Sequence, residues 1–164
     1  MFVAGFVACC LAGFALLLSP WATPAVLRFS RSLVDASGAL IHLFGGHARV
    51  EGAVLRDPSS GFAIEMKDGC NGVNVTILLC SAVLAFPTSR TQKLKGLLIG
   101  TLAIQCINIV RFISLFYLGQ ASRAWFDFSH HYLWESLIMV DSMVIFGLWV
   151  KMVFRGIKGP DVSG

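Results

Sequence analysis

Four stretches of this chain are long, apolar and almost free of charged side chains. They cover approximately residues 1–18, 71–86, 96–118 and 131–154. A helix crosses the hydrocarbon core of a bilayer with about 20 apolar residues, and a charged side chain inside that core is costly. The pattern predicts an all-α membrane protein with about four transmembrane helices, organised as a single membrane domain over residues 1–164.

The composition excludes the main alternatives to a membrane protein. Hydrophobic residues make up 56% of the 164 and charged residues 13%, whereas soluble domains contain about 45–50% apolar and about 25% charged residues. The formal net charge of +4 comes from short basic patches beside the apolar stretches, a pattern typical of membrane orientation and not of nucleic-acid binding. The lipid bilayer is therefore an expected partner, and a nucleic acid is not.

The basic patches also predict the orientation. Three cations lie in the link 88–96, and three more lie between Lys151 and Lys158. Because short basic loops stay in the cytoplasm, both termini are expected there. The segment 20–69 and the link 119–130 are then expected on the outer face of the membrane.

The outer segment 20–69 carries two patterned regions of its own. Over residues 24–44 the apolar residues recur at helical spacing, which predicts an amphipathic helix at the membrane interface with Arg28, Arg31 and Asp35 facing water. Residues 48–67 contain two alternating runs around D-P-S-S-G, which predict a β-hairpin.

Ionisable side chains inside apolar stretches are the first candidates for function. Arg111 is the one charge in the third stretch, and Gln105, Asn108 and Arg111 share one helix face by their spacing of three. A structural role is the alternative for Arg111, as a buried ion pair with Glu135 or Asp141 that joins two helices.

Cys70 lies in D-G-C-N-G-V-N at the start of the second stretch. A helix N-terminus favours the thiolate, and Asn71 and Asn74 can donate hydrogen bonds to a developing oxyanion. The alternative is an interfacial thiol without a role.

The five cysteines show no metal-ligand spacing, so neither a metal nor another cofactor is predicted.

His130 and His131 begin the fourth stretch. Histidine titrates near neutral pH and is the usual proton carrier, although histidines beside interfacial aromatic residues are also common. Glu135 is four residues from His131 and can orient its ring.

The predicted orientation brings Cys70, Arg111 and the histidines to the outer side of the bilayer. A cysteine nucleophile, a histidine acid/base and an arginine that stabilises negative charge are then expected to act together. Two other functions remain open: a non-enzymatic membrane scaffold or transporter subunit, and a thiol redox enzyme. Redox chemistry is disfavoured because Cys80 lies about 15 Å along the helix from Cys70.

Three segments resemble the motifs of the exosortase/archaeosortase family: D-G-C-N-G-V-N at 68–74, N-I-V-R-F at 108–112 and H-H-Y-L-W at 130–134. The small size resembles the short exosortase H type. The resemblance implies a cysteine transpeptidase or protease of the bacterial inner membrane, with its active site facing the periplasm. Such an enzyme cleaves C-terminal sorting signals of exported proteins, each made of a short motif, a transmembrane helix and a basic tail.

The resemblance also implies roles for individual residues. Cys70 is the nucleophile that forms a thioester, Arg111 is the arginine of the family, and His130 is the third member, with His131 as the alternative. For the short type, the implied signal begins Ile-Pro-Thr-Leu. Many members have Cys-Ser-Gly where this chain has Cys-Asn-Gly, so the role of Asn71 stays open.

Overall fold

Helices form most of the chain, and one small sheet interrupts them. The computed structural model describes residues 2–129 and 134–157, without the side chains of residues 135, 156 and 157. The elements are α1 (Phe2–Leu17), α2 (Ala22–Leu43), β1 (Arg49–Glu51), β2 (Val54–Arg56), β3 (Ala63–Glu65), α3 (Val73–Ala85), α4 (Arg90–Ala121), α5 (Arg123–Phe128) and α6 (Trp134–Ile157). The prediction of a mainly helical chain with a small β element is confirmed.

Two of the described helices are long and apolar enough to cross a membrane, namely α4 and the Ser136–Arg155 part of α6. A third candidate is the pair α1 and α2, which is bent by 88° at Ser19–Pro20. The apolar helix α3 has 13 residues and spans only about 20 Å at 1.5 Å per residue. The count of four transmembrane helices stays a prediction.

The basic link 88–96 is mostly helical, where a loop was expected. Helix α4 already begins at Arg90, because the Ser89 hydroxyl accepts a hydrogen bond from the Gln92 N–H (3.4 Å) and the following residues are good helix formers. The Trp149 indole N–H donates to the Gln92 carbonyl (3.1 Å). The start of α4 and the last turns of α6 therefore lie side by side, and both carry cations.

Helix α2 is amphipathic, as its sequence pattern predicts. Leu33, Val34 and Ile41 are buried against the sheet and α4, whereas the charged side chains of the opposite face are exposed: Arg28, Arg31 and Asp35.

The predicted hairpin is in fact a three-stranded antiparallel sheet in the order β1-β2-β3. Its second turn contains D-P-S-S-G, as expected, but the first alternating run also folds back on itself at Gly52. That glycine has φ +67°, a left-handed conformation that other residues rarely adopt. Leu55 therefore pairs with both Val50 and Ile64.

The buried apolar residues form two separate clusters. The first lies between α2, the sheet and the end of α4, around Leu55 and Phe116. The second lies between α3, the start of α4 and the end of α6, around Leu79 and Trp149. The loop that leads from β3 to α3 runs between these clusters, and it contains Cys70.

Candidate active site

Backbone hydrogen bonds hold the start of the Cys70 loop (residues 66–72) and close a turn inside it. The Met66 N–H donates to the Ala53 carbonyl (2.9 Å), and the Cys70 N–H donates to the Lys67 carbonyl (3.0 Å). Gly72 has φ +73°, and a Cβ at this position would lie 3.2 Å from Gln105 Nε2. The loop thus needs glycine at position 72 for its conformation and for its close approach to α4.

Asn71 connects this loop to two helices. The side chain is buried, Nδ2 donates to Ser30 Oγ in α2 (3.1 Å), and Oδ1 accepts the Val73 N–H at the start of α3 (3.1 Å). These bonds indicate a positioning role, which differs from the oxyanion contact expected from the sequence. Asn74 lines another cavity, at the bend between α1 and α2.

Replacing Asn71 by alanine is expected to lower the thermal stability of the protein in detergent. The change removes both hydrogen bonds and leaves the buried Ser30 hydroxyl without its described partner, which costs about 1–3 kcal/mol. Ser30→Ala is the matched control, with a smaller expected loss because Asn71 Oδ1 would still accept the Val73 N–H. Equal melting temperatures for the wild type and Asn71→Ala would contradict the anchoring role.

Cys70, Asn108 and Arg111 line one cavity of about 670 Å³ between the sheet, α4 and α5. Its apolar wall contains Phe62, Ile64, Phe112, Leu115 and Phe126, and its charged lining residues are Glu65, Lys67, Arg111, Arg123 and Asp127. Gln105, the third member of the predicted polar face of α4, donates from Nε2 to Thr76 Oγ1 (3.1 Å) instead.

Arg111 is buried, with 6% of its surface exposed. Within residues 2–129 and 134–157, its side chain has no hydrogen bond and no carboxylate within 4 Å, and the described ion pair is Arg56–Glu51 (3.5 Å). The proposed pair with Asp141 is therefore not formed. The side chain of Glu135 lies outside the described residues, so the pair with Glu135 stays a hypothesis.

His130 and His131 also lie outside the described residues. The chain on either side of them is close to the cavity: Phe126 and Asp127 line it, and Trp134 packs against the first apolar cluster, which includes Phe112. The other two histidines, His42 and His47, are exposed. The part of the chain that the structure describes contains no group of three or more His, Cys, Asp or Glu able to hold a metal.

Sequence reasoning did not identify the aromatic wall of the cavity. Phe62 and Phe126 meet edge to face, with ring centroids 5.8 Å apart, and a Cβ at Gly119 would lie 2.0 Å from Phe62 Cζ. The A-W-F-D-F segment is typical of interfacial anchoring, and Trp125 and Phe128 are indeed exposed. No local pattern distinguishes Phe126 from these neighbours, because its partner Phe62 is distant in the sequence.

Comparison with known proteins identifies the family. Residues 2–149 match the family model described as transmembrane exosortase. No curated protein and no solved structure gives a match. The family model covers most of the chain, including the Cys70 loop and all of α4, and this chain therefore belongs to the transmembrane exosortase family.

Proposed function

We propose that this protein is a cysteine transpeptidase that cleaves the C-terminal sorting signals of exported proteins. Membership of the exosortase family indicates a membrane transpeptidase in general. One observation supports the cysteine chemistry above all: Cys70 and the buried cation of Arg111 line the same cavity. A nucleophile beside a fixed positive charge is suited to attack on a carbonyl, where negative charge develops on the oxygen.

In the proposed reaction, the Cys70 thiolate attacks the scissile carbonyl carbon and Arg111 stabilises the resulting oxyanion. The C–N bond then breaks, His130 gives a proton to the leaving amine, and a thioester remains on Cys70. An acceptor amine or water attacks the thioester and releases the thiolate.

His131 is the alternative acid, and Glu135 is proposed to orient it. His130→Ala and His131→Ala are compared in one cleavage assay, and the variant that loses activity identifies the ring that acts as the acid.

The proposed site faces the periplasm of the inner membrane, and both termini lie in the cytoplasm. Three contacts support this orientation: Phe2 packs on Phe86, Phe86 packs on Trp149, and Trp149 binds Gln92. The start of α1, the start of α4 and the end of α6 therefore share one end of the molecule, and most cations of the helical region are there. The sheet and the Cys70 cavity lie at the other end, and we assign that end to the periplasm although it also carries cations, because long outer segments translocate largely regardless of their charge.

A reporter assay tests the proposed function. An exported reporter is given a tail with Ile-Pro-Thr-Leu, an apolar helix and a basic end, and it is co-expressed with the protein. We expect a shortened reporter, and after a hydroxylamine quench we expect a C-terminal hydroxamate, since hydroxylamine traps a thioester. Cys106→Ala is the matched control, because Cys106 is exposed on α4 and does not line the cavity. A reporter that stays full-length in the presence of the wild type would refute the proposal.

A further inference from the structure

The carboxamide of Asn108 is buried without hydrogen bonds. Asn108 is 1% exposed, and neither Nδ2 nor Oδ1 has a partner among residues 2–129 and 134–157. Buried polar groups are nearly always hydrogen-bonded, because an unsatisfied one retains the full cost of its desolvation. A residue that departs from this rule inside a cavity is suited to bind a ligand.

The surroundings of Asn108 leave this amide available. Gly72 lies beside the amide, since a Cβ at this position would be in van der Waals contact with Asn108 Nδ2, at 3.4 Å. Asn71 uses both ends of its amide. Gln105 donates from Nε2 to Thr76, and its Oε1 has no partner among the described residues, but Gln105 does not line the cavity. Among the described cavity-lining residues, Asn108 offers an unused donor and an unused acceptor together.

We infer that Asn108 binds the main chain of the substrate beside Cys70. Nδ2 donates to a peptide carbonyl oxygen, and Oδ1 accepts a peptide N–H. A peptide unit presents one donor and one acceptor, which matches the two unsatisfied atoms of this carboxamide. Apart from Cys70, the other polar side chains of the lining are charged, so Asn108 supplies its neutral amide. The inference rests on the proposed function and adds a substrate-binding residue to it.

The first test compares Asn108→Leu with the wild type, each purified in lipid nanodiscs. The probe is a synthetic tail with the Ile-Pro-Thr-Leu motif and its apolar helix. We expect KM to rise about 10- to 100-fold, the effect of losing two hydrogen bonds, and we expect the melting temperature to stay equal or to rise. A purely structural asparagine would instead lower the melting temperature. Gln120→Leu is the matched control, because Gln120 Nε2 is also buried without a described partner but does not line the cavity.

The second test measures binding without chemistry. In the Cys70→Ala background, the tail peptide is titrated with an ester in place of the amide at each non-proline position of the motif. One ester is expected to weaken binding with Asn108 present and to have no such effect in Asn108→Leu, because the N–H that it removes is the one bound by Oδ1. Equal effects of every ester in both proteins, or an unchanged KM, would overturn the inference.

The two proposals fail separately. If binding depends on Asn108 but the wild type cleaves no tail, the transpeptidase proposal is wrong and the binding role of Asn108 stands. If the wild type cleaves the tail and Asn108→Leu has an unchanged KM, the role of Asn108 is wrong and the transpeptidase proposal stands.

Discussion

Cys70→Ala is expected to abolish cleavage of the sorting-signal reporter, with a loss of about 10⁴-fold or more, as is typical when a covalent nucleophile is removed. Alanine has no group that can form the thioester, and the remaining cavity can only hold the substrate near water. The measurement is the fraction of shortened reporter over time, read together with the amount of hydroxamate formed. Cys70→Ser tests whether a hydroxyl can replace the thiolate at this position. Cys106→Ala shows the effect of removing a thiol that does not line the cavity.

The fold of Cys70→Ala is expected to persist. The loop is held by Asn71 and by the backbone bonds of Met66 and Cys70, none of which involves the thiol. A melting temperature close to that of the wild type is therefore the internal control. Full cleavage by a correctly folded Cys70→Ala would show that the nucleophile is another residue or that the protein does not act on peptide bonds.

Arg111→Lys is expected to lower kcat by about 10²- to 10³-fold, the usual effect of removing one oxyanion contact. Lysine keeps the positive charge but lacks the planar fork that presents several donors in fixed directions. The two variants Arg111→Lys and Arg111→Met are compared in the nanodisc assay, and the methionine variant is expected to be the less active. Unchanged kcat in Arg111→Lys would limit the role of this residue to charge balance.

Stability measurements on Arg111→Met separate catalysis from a helix-joining ion pair. A buried cation without a partner is costly, so its removal is expected to leave the melting temperature unchanged or higher. If Arg111 were paired with Glu135, its removal would strand a buried carboxylate and destabilise the fold by about 3–5 kcal/mol. The double variant Arg111→Met/Glu135→Gln would then recover stability, which would favour the scaffold or transporter alternative.

Local patterns in the sequence predicted helix α4, which carries Asn108 and Arg111, but not helix α5, which adds Phe126 to the cavity wall. The helical spacing of the apolar residues predicted which face of α2 is buried, and the spacing of Asn108 and Arg111 placed both on one face of α4. Burial against a partner determines such patterns, so they are readable without the partner's identity. The prediction that Cys70 and Arg111 lie on the same side of the bilayer followed from the positions of the basic loops alone.

Contacts between distant segments could not be predicted in this way. The hydrogen bond from Asn71 to Ser30 joins the Cys70 loop to α2, and no periodicity indicates that pairing. The turn at Gly52 was missed because its flanking residues alternate as one continuous strand would. The packing of Phe62 on Phe126 depends on the arrangement of the sheet over α4 and α5.

For the proposed transpeptidase, the length of α4 has a consequence for the level at which a substrate would be cut. From Arg90 to Arg111 the helix rises about 31 Å at 1.5 Å per residue, close to the hydrocarbon thickness of a bilayer, which is about 30 Å. With Arg90 at the cytoplasmic surface, the Arg111 guanidinium lies at the opposite edge of the hydrocarbon core. Water is available at that edge to hydrolyse an acyl group or to release it to an acceptor. A tail whose cleavage motif directly adjoins its own membrane anchor would reach that edge without any spacer, whereas a motif far from its anchor would pass above the cavity.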